Sequence, residues 1–175
     1  MRKKQHSGFS LVELMFAMGV IAVGLGGLLV LYTSAINANS RNKMDSTALF
    51  VAEMVMERLA SQPANANLPI TIQDCAPAPN NWPITTASGG ATLYGNDQGA
   101  NISWSSEGYE GLQAGGYAMR YVACSGAGQR PVYEVRWNIR AVGAGGFTKL
   151  ITVSARQVNT RDVVFPVNLR TISGI

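Results

Sequence analysis

Gly8-Phe9-Ser10-Leu11-Val12-Glu13 joins a short basic start to a long apolar run that carries one carboxylate near its beginning. Upstream, residues 1–8 (MRKKQHSG) hold Arg2, Lys3 and Lys4 and no apolar side chain after Met1. Downstream, Leu14 to Tyr32 (LMFAMGVIAVGLGGLLVLY) is 19 residues without a charge. At about 1.5 Å of rise per residue a helix of that length spans roughly 29 Å, close to the ~30 Å hydrocarbon core of a bilayer. The cations ahead of the run predict that the N-terminus stays cytoplasmic and the remainder is exported. A secretory signal shares the basic start, but its apolar core is only about 7 to 15 residues and precedes a cut. The run here is longer, although Thr33-Ser34-Ala35 offers small residues where a signal peptidase could act.

Glu13 separates these readings. An acidic residue at the centre of a membrane helix costs about 3 kcal/mol, less near the interface, and by default marks function. The plainer alternative is a glutamate at headgroup level that reaches out to water. Gly8, Phe9 and Glu13 at the head of this apolar helix resemble the class III leader of type IV pilins and type II secretion pseudopilins. The resemblance implies that prepilin peptidase cuts between Gly8 and Phe9 on the cytoplasmic side. It also implies that the new N-terminal amine of Phe9 is methylated and that Glu13 is the assembly carboxylate. The partners it implies are other pilin subunits, major and minor, met through the N-terminal helix, together with prepilin peptidase, the inner membrane and the pilus assembly platform. No cofactor is expected.

The totals narrow the field. A chain of 175 residues has room for one domain besides its anchor helix. Of the 14 Lys and Arg, three lie in the leader, so 11 face 10 Asp and Glu in the remainder, a formal +1. The pI of 9.3 is therefore no argument for a nucleic-acid partner. Cys75 and Cys124 fall on the exported side, where an even count favours one disulfide. Closing a loop of about 50 residues is worth about 4 kcal/mol by chain entropy; two buried thiols are the alternative. His6 is the single histidine and belongs to the segment expected to be removed. The mature chain then has no Ser-His or Cys-His pair and no His-ligated zinc. Asp74, Asp97, Glu107, Glu110, Glu134 and Asp162 follow no catalytic spacing, and no phosphate-binding loop motif occurs. The chain does not read as an enzyme.

From Thr33 to Ser61 the chain turns polar without a proline, and Met44, Ala48, Val51, Val55 and Leu59 recur at helical spacing. Arg41, Asp45, Glu53 and Glu57 fall on the opposite face. The pattern predicts one helix over residues 9–62, stopped by Pro63, with a membrane part at about 9–32 and an amphipathic part at about 33–62. At 54 residues it would be roughly 80 Å long. Gly19, Gly24, Gly26 and Gly27 lower its propensity; they would allow close helix approach or mark a segment that unwinds on assembly, or simply reflect membrane composition.

Residues 62–100 read as loop, rich in Pro, Asn and Gly, with short strands at 69–73 and 91–94. Asn96 and Asp97 read as a turn rather than a calcium loop. Tyr117 to Cys124, Val132 to Val142, Phe147 to Gln157 and Val163 to Ile172 read as strands, with turns at 126–129 and 143–146, and Pro166 marks an edge or break in the last. Strict alternation predicts that Tyr133, Val135, Trp137 and Ile139 face the core while Glu134, Arg136, Asn138 and Arg140 face water. Arg120, Arg136, Arg140, Arg156, Arg161 and Arg170 would then form a basic sheet surface, which an adhesive or DNA-uptake subunit could use.

The expected fold class is α+β: a long N-terminal helix whose second half packs on an antiparallel sheet of four or five strands. The expected divisions are a leader at 1–8, the helix at 9–62 and a β-sheet head at 63–175, closed by a Cys75–Cys124 bridge. The order of parts resembles pilin-like proteins. Ala48 to Leu59 (ALFVAEMVMERL), ending in Glu57-Arg58, resembles the corresponding segment of PilV-type minor pilins. That implies a minor subunit that initiates or modifies the pilus, located in the inner membrane with its head in the periplasm and in the filament or at its tip. A minor pseudopilin of a type II secretion system carries the same leader, helix and sheet.

Overall fold

The computed structural model describes residues 10–63, 70–95, 101–124, 130–143, 147–160 and 163–174. The chain divides into two units, Met1–Asn42 and Lys43–Ile175. Helix α1, Leu11–Ala60, is 50 residues long and passes through that division. It starts after Ser10 and ends two residues short of the expected boundary, with Phe9 outside the described residues. Glu13 in its first turn and Arg58 in its last both complement the helix macrodipole.

In the first unit every described side chain is exposed, including all of Leu14 to Tyr32. An 18-residue window of α1 has a mean hydropathy of 2.5, enough by length and composition to cross a membrane. A Cβ placed at Gly19, Gly24, Gly26 or Gly27 would meet nothing within 4 Å. Packing within this chain therefore does not call for those glycines.

In the second unit the stripe on α1 does what its spacing predicts: Ala48, Val51, Val55 and Leu59 are fully buried, joined by Ala52, and Met44 is half-buried. Asp45, Glu53 and Glu57 on the other side are exposed. The stripe packs on a five-stranded antiparallel sheet built from β3 (Gly89–Gly90), β4 (Ala118–Val122), β5 (Val132–Val142), β6 (Thr148–Gln157) and β7 (Val167–Gly174). The order runs β7-β6-β5, and β4 and β3 share the other edge of β5. Val135 lies opposite Met119 on one side and Ala155 on the other, and Trp137 opposite Val153. Those side chains, with Tyr133, Ile139 and Ile151, meet the helix stripe in one core. The fold is α+β, as the periodicities imply. Strand β7 begins directly after Pro166 and forms the sheet edge, where a residue lacking an N–H does least harm.

Two hydrogen-bonding side chains tie the end of α1 to the sheet. Lys149 of β6 is buried and its Nζ donates to the carbonyls of Leu59 and Gln62, and Ser173 Oγ of β7 donates to the carbonyl of Ala60 at 2.9 Å. The last carbonyls of a helix lack intrahelical partners, and a cation there also answers the negative end of the dipole. Burial pushes the Lys149 amine below its ordinary range.

The second face of the sheet departs from expectation. Glu134, Arg136 and Asn138 are buried, and of the four residues expected in water Arg140 alone is exposed. The cause is the excursion between β3 and β4, which folds over this face. It contains helix α1's short successor α2 (Tyr109–Ala114) and packs Ala91, Leu93, Ile102 and Leu112 with Ala118 of β4 in a satellite core. Alternation correctly separated two faces, but a polar face is not obliged to be wet. The buried charges are paired: Arg136 donates to Glu134 Oε1 through Nε at 2.8 Å and Nη2 at 2.6 Å, and Nη1 donates to the Glu107 carbonyl at 3.0 Å. Asn138 Nδ2 donates to the Ala91 carbonyl at 2.9 Å.

The stretch read as loop also holds more structure than its composition implies. Strand β1 (Ile70–Gln73) pairs with β2 (Asn81–Ile84) in a separate two-stranded sheet, with Thr71 opposite Pro83. Proline is tolerated there because β2 pairs on one side only. Residues 91–94 form no strand; Leu93 makes a single bridge to Ile102. At Gly90, φ is +112° and an added Cβ would stand 2.3 Å from the Trp137 carbonyl oxygen, so β3 closes on β5 only with glycine in place. The turns expected at Asn96-Asp97, at 126–129 and at 144–146 lie outside the described residues.

Cys75 and Cys124 form a disulfide with Cα atoms 5.0 Å apart, spanning 49 positions. It joins the β1–β2 connection to the end of β4, beside a hydrogen bond from the Cys75 amide to the Val122 carbonyl at 3.0 Å. Next to it the buried Asp74 carboxylate organises the connection. Oδ1 accepts from the Asn80 amide at 2.8 Å and the Ala76 amide at 3.2 Å, while Oδ2 accepts from Asn80 Nδ2 at 3.0 Å and Trp82 Nε1 at 3.2 Å. Burial works to raise its pKa, but the Asn80 side chain and the other donors together outweigh it, and the carboxyl sits below its ordinary value.

Candidate functional site at the start of the first helix

The Ser10 carbonyl accepts the first hydrogen bond of α1, from the Leu14 amide at 3.2 Å, which makes Ser10 the cap residue. Glu13 is then the third helical position, the S-x-x-E spacing of a capping box. Chain chemistry thus gives Glu13 a local reason to sit there, beside four amides without intrahelical partners. The sequence reading did not single out this Ser10–Glu13 spacing.

One turn further on, the absent side chain of Gly19 leaves an open apolar notch between Met15, Phe16, Val20 and Val23. Phe16 is three residues after Glu13 and so lies on the same side of the helix. The carboxylate and the notch are exposed together. An apolar surface with one carboxylate and, among the described residues of its own unit, no partner is chemically suited to lipid or to another apolar helix that brings a cation.

Residues 3–29 match the family model of the prokaryotic N-terminal methylation motif. No curated protein and no solved structure matches the chain. The motif covers the leader and the start of α1, with Glu13 inside it, and it supports a type IV pilin-like or pseudopilin subunit anchored by its N-terminal helix. It also supports processing by prepilin peptidase and assembly with other pilins. Gly8 and Phe9, where cleavage is expected, belong to the matched stretch but lie outside the described residues.

The remaining expected site residues are distributed through the second unit. Cys75 and Cys124 are bridged and serve the head. Of the arginines read as one basic surface, Arg136 is buried and ion-paired, Arg140 and Arg170 are exposed, and Arg161 is outside the described residues. Among the described residues no group of three His, Cys, Asp or Glu side chains gathers as a metal site would require.

Proposed function

We propose that the chain is a minor pilin of a type IV pilus, most similar to PilV-type subunits, cut between Gly8 and Phe9, N-methylated on Phe9, and held in the filament through Glu13. The observation that carries the reading is the methylation motif at 3–29 running directly into an exposed apolar helix with a single early carboxylate. Cleavage would create an α-amine of ordinary pKa about 7.7–8.0, protonated at neutral pH, and methylation leaves it basic. In a stack of subunits the cation on Phe9 of one chain would sit beside Glu13 of the next, each offsetting the other's desolvation. The Glu57-Arg58 step that resembles PilV-type chains is exposed on α1 and free to meet a neighbouring subunit.

The decisive measurement is the intact mass of the mature chain. A chain that begins at N-methylated Phe9 is the expected result; a start near Ile36 would leave an ordinary secreted domain. A deletion strain then separates the two filament systems. Loss of surface pili and twitching is expected, whereas normal pili with lost exoprotein secretion would assign the chain to a type II secretion pseudopilus.

A further inference from the structure

The two edges of the five-stranded sheet are finished differently. On the β4 side the backbone is taken up within the head. The Gly116 carbonyl accepts from the Thr85 amide at 3.0 Å, the Val122 carbonyl accepts from the Cys75 amide at 3.0 Å, and the Cys75–Cys124 bridge fastens that border. On the other side β7 pairs with β6 through all eight of its residues, from Val167 opposite Ala155 to Gly174 opposite Thr148, without a bulge. The direction of its backbone groups follows from strand to strand. In β5 the Trp137 amide donates to the Tyr117 carbonyl and the Trp137 carbonyl accepts from the Ala91 amide, so odd-numbered residues there turn toward β4 and β3. The Val132 carbonyl accepts from the Val158 amide, so even-numbered residues turn toward β6. Antiparallel pairing carries this alternation across the register: odd-numbered residues of β6 turn to β7, where Val167, Leu169, Thr171 and Ser173 answer them. Asn168, Arg170, Ile172 and Gly174 therefore aim their N–H and C=O groups out of the sheet, at intervals of about 6.8 Å.

Among the described residues no hydrogen bond reaches those outward backbone groups. Open edges are normally guarded by shortness, a proline, a bulge or charged side chains, Lys above all. Strand β7 is long and unbulged, Pro166 stands just before it, and Arg170 is its one charged residue. Arg170 and Ile172, which turn their backbone outward, are also exposed as side chains, Ile172 to 69%. Charge separates the possible occupants. A second copy could pair β7 with β7 along most of its length only by placing the two Arg170 side chains directly opposite each other or on the neighbouring diagonal, where like charges repel. A strand with a carboxylate opposite Arg170 and an apolar residue opposite Ile172 meets the same edge without that conflict.

We infer that the outer edge of β7 takes up an extended segment of another polypeptide, apolar and carrying a carboxylate opposite Arg170, as an additional strand of the sheet. The inference rests on the head alone and is independent of the assembly role of α1. It is tested on the full chain in detergent micelles with a blocked, fluorescently labelled peptide matching β7 in length, alternating valine and threonine around one central glutamate, and with the same peptide carrying lysine in its place. Saturable binding of the glutamate peptide, with hydrogen exchange slowed at the Arg170 and Ile172 amides, is expected. Ile172→Pro removes an outward N–H while leaving the bonds to β6 in place, and it should abolish binding. Arg170→Glu should weaken the glutamate peptide roughly fivefold and reverse the preference in favour of the lysine peptide. Arg140→Gln, on β5, should change neither. Should Ile172→Pro not fold, the reversal of preference in Arg170→Glu decides the matter alone. The assignment is overturned by an absence of saturable binding, by binding that survives Ile172→Pro in the folded chain, or by a peptide preference that Arg170→Glu leaves unchanged. Self-association of the chain that Ile172→Pro abolishes would also overturn it, by giving the edge to a second copy.

Discussion

The first 32 residues of α1 and the strand β5 invert the usual relation between polarity and burial. Leu11–Asn42 contains the most apolar run of the chain and exposes all of it, while Val132–Ile139 carries Glu134, Arg136 and Asn138 and exposes almost nothing. Both conditions are costly in water, one through uncovered apolar surface and the other through desolvated charge. They are resolved differently. The strand finds its partners within the same unit, through Arg136 with Glu134 and through Trp104 and Asn138 with the excursion above them. Among the described residues of its own unit the helix has no such partners, and its surface suits something outside the chain.

The contrast breaks first at β5. Glu134→Ala leaves Arg136 buried without its carboxylate, and loss of one partner of a buried pair costs about 3–5 kcal/mol. Urea unfolding of the full chain in micelles should show that loss, and replacement of both residues by apolar ones of similar size should recover most of it. A single-variant cost near that of an ordinary surface substitution would mean that this face is wet after all. The disulfide comes next: changing Cys75 and Cys124 together to Ser should cost about 2–4 kcal/mol, read as a lower denaturant midpoint.

A smaller, graded effect follows from Asp74. Its folded pKa lies below the unfolded value, so its stabilisation is complete above about pH 4 and fades as pH falls through the folded pKa. The thermal midpoint of the wild-type chain should therefore drop on acidification through that window. Asp74→Asn should be less stable at neutral pH, because its amide would turn a donor toward Trp82 Nε1 or Asn80. It should also lose part of the acid dependence. A wild-type and variant that titrate in parallel would remove Asp74 from the account.

What could be read from the sequence depended on how local the cause was. The α1 stripe and the limits of β5 follow from spacing within one segment, and Val132–Val142 matches residue for residue. The burial of Glu134 and Arg136 does not, because it depends on a segment some thirty residues upstream folding over them. Strand β2 was hidden by Pro83, which counts against a strand unless its edge position is known. At the candidate site, Glu13 was legible from chemistry alone, since a lone carboxylate on an apolar helix requires a reason. Its capping-box spacing from Ser10 was legible too, but the membrane reading overshadowed it.

The smallest expected effect on stability is the sharpest test of the comparison. Glu13→Ala should leave unfolding of the head within about 0.5 kcal/mol of wild type, since the residue is exposed and far in sequence from every core position. It should still enter the membrane and be processed, while the fraction recovered in sheared filaments falls to near background. Glu13→Gln divides the two roles of this side chain. Glutamine keeps the capping-box spacing with Ser10 and removes the charge. If it assembles like wild type, Glu13 serves the start of its own helix. If it fails like alanine, the carboxylate acts on the cation of a neighbour, as the exposed apolar helix around it implies.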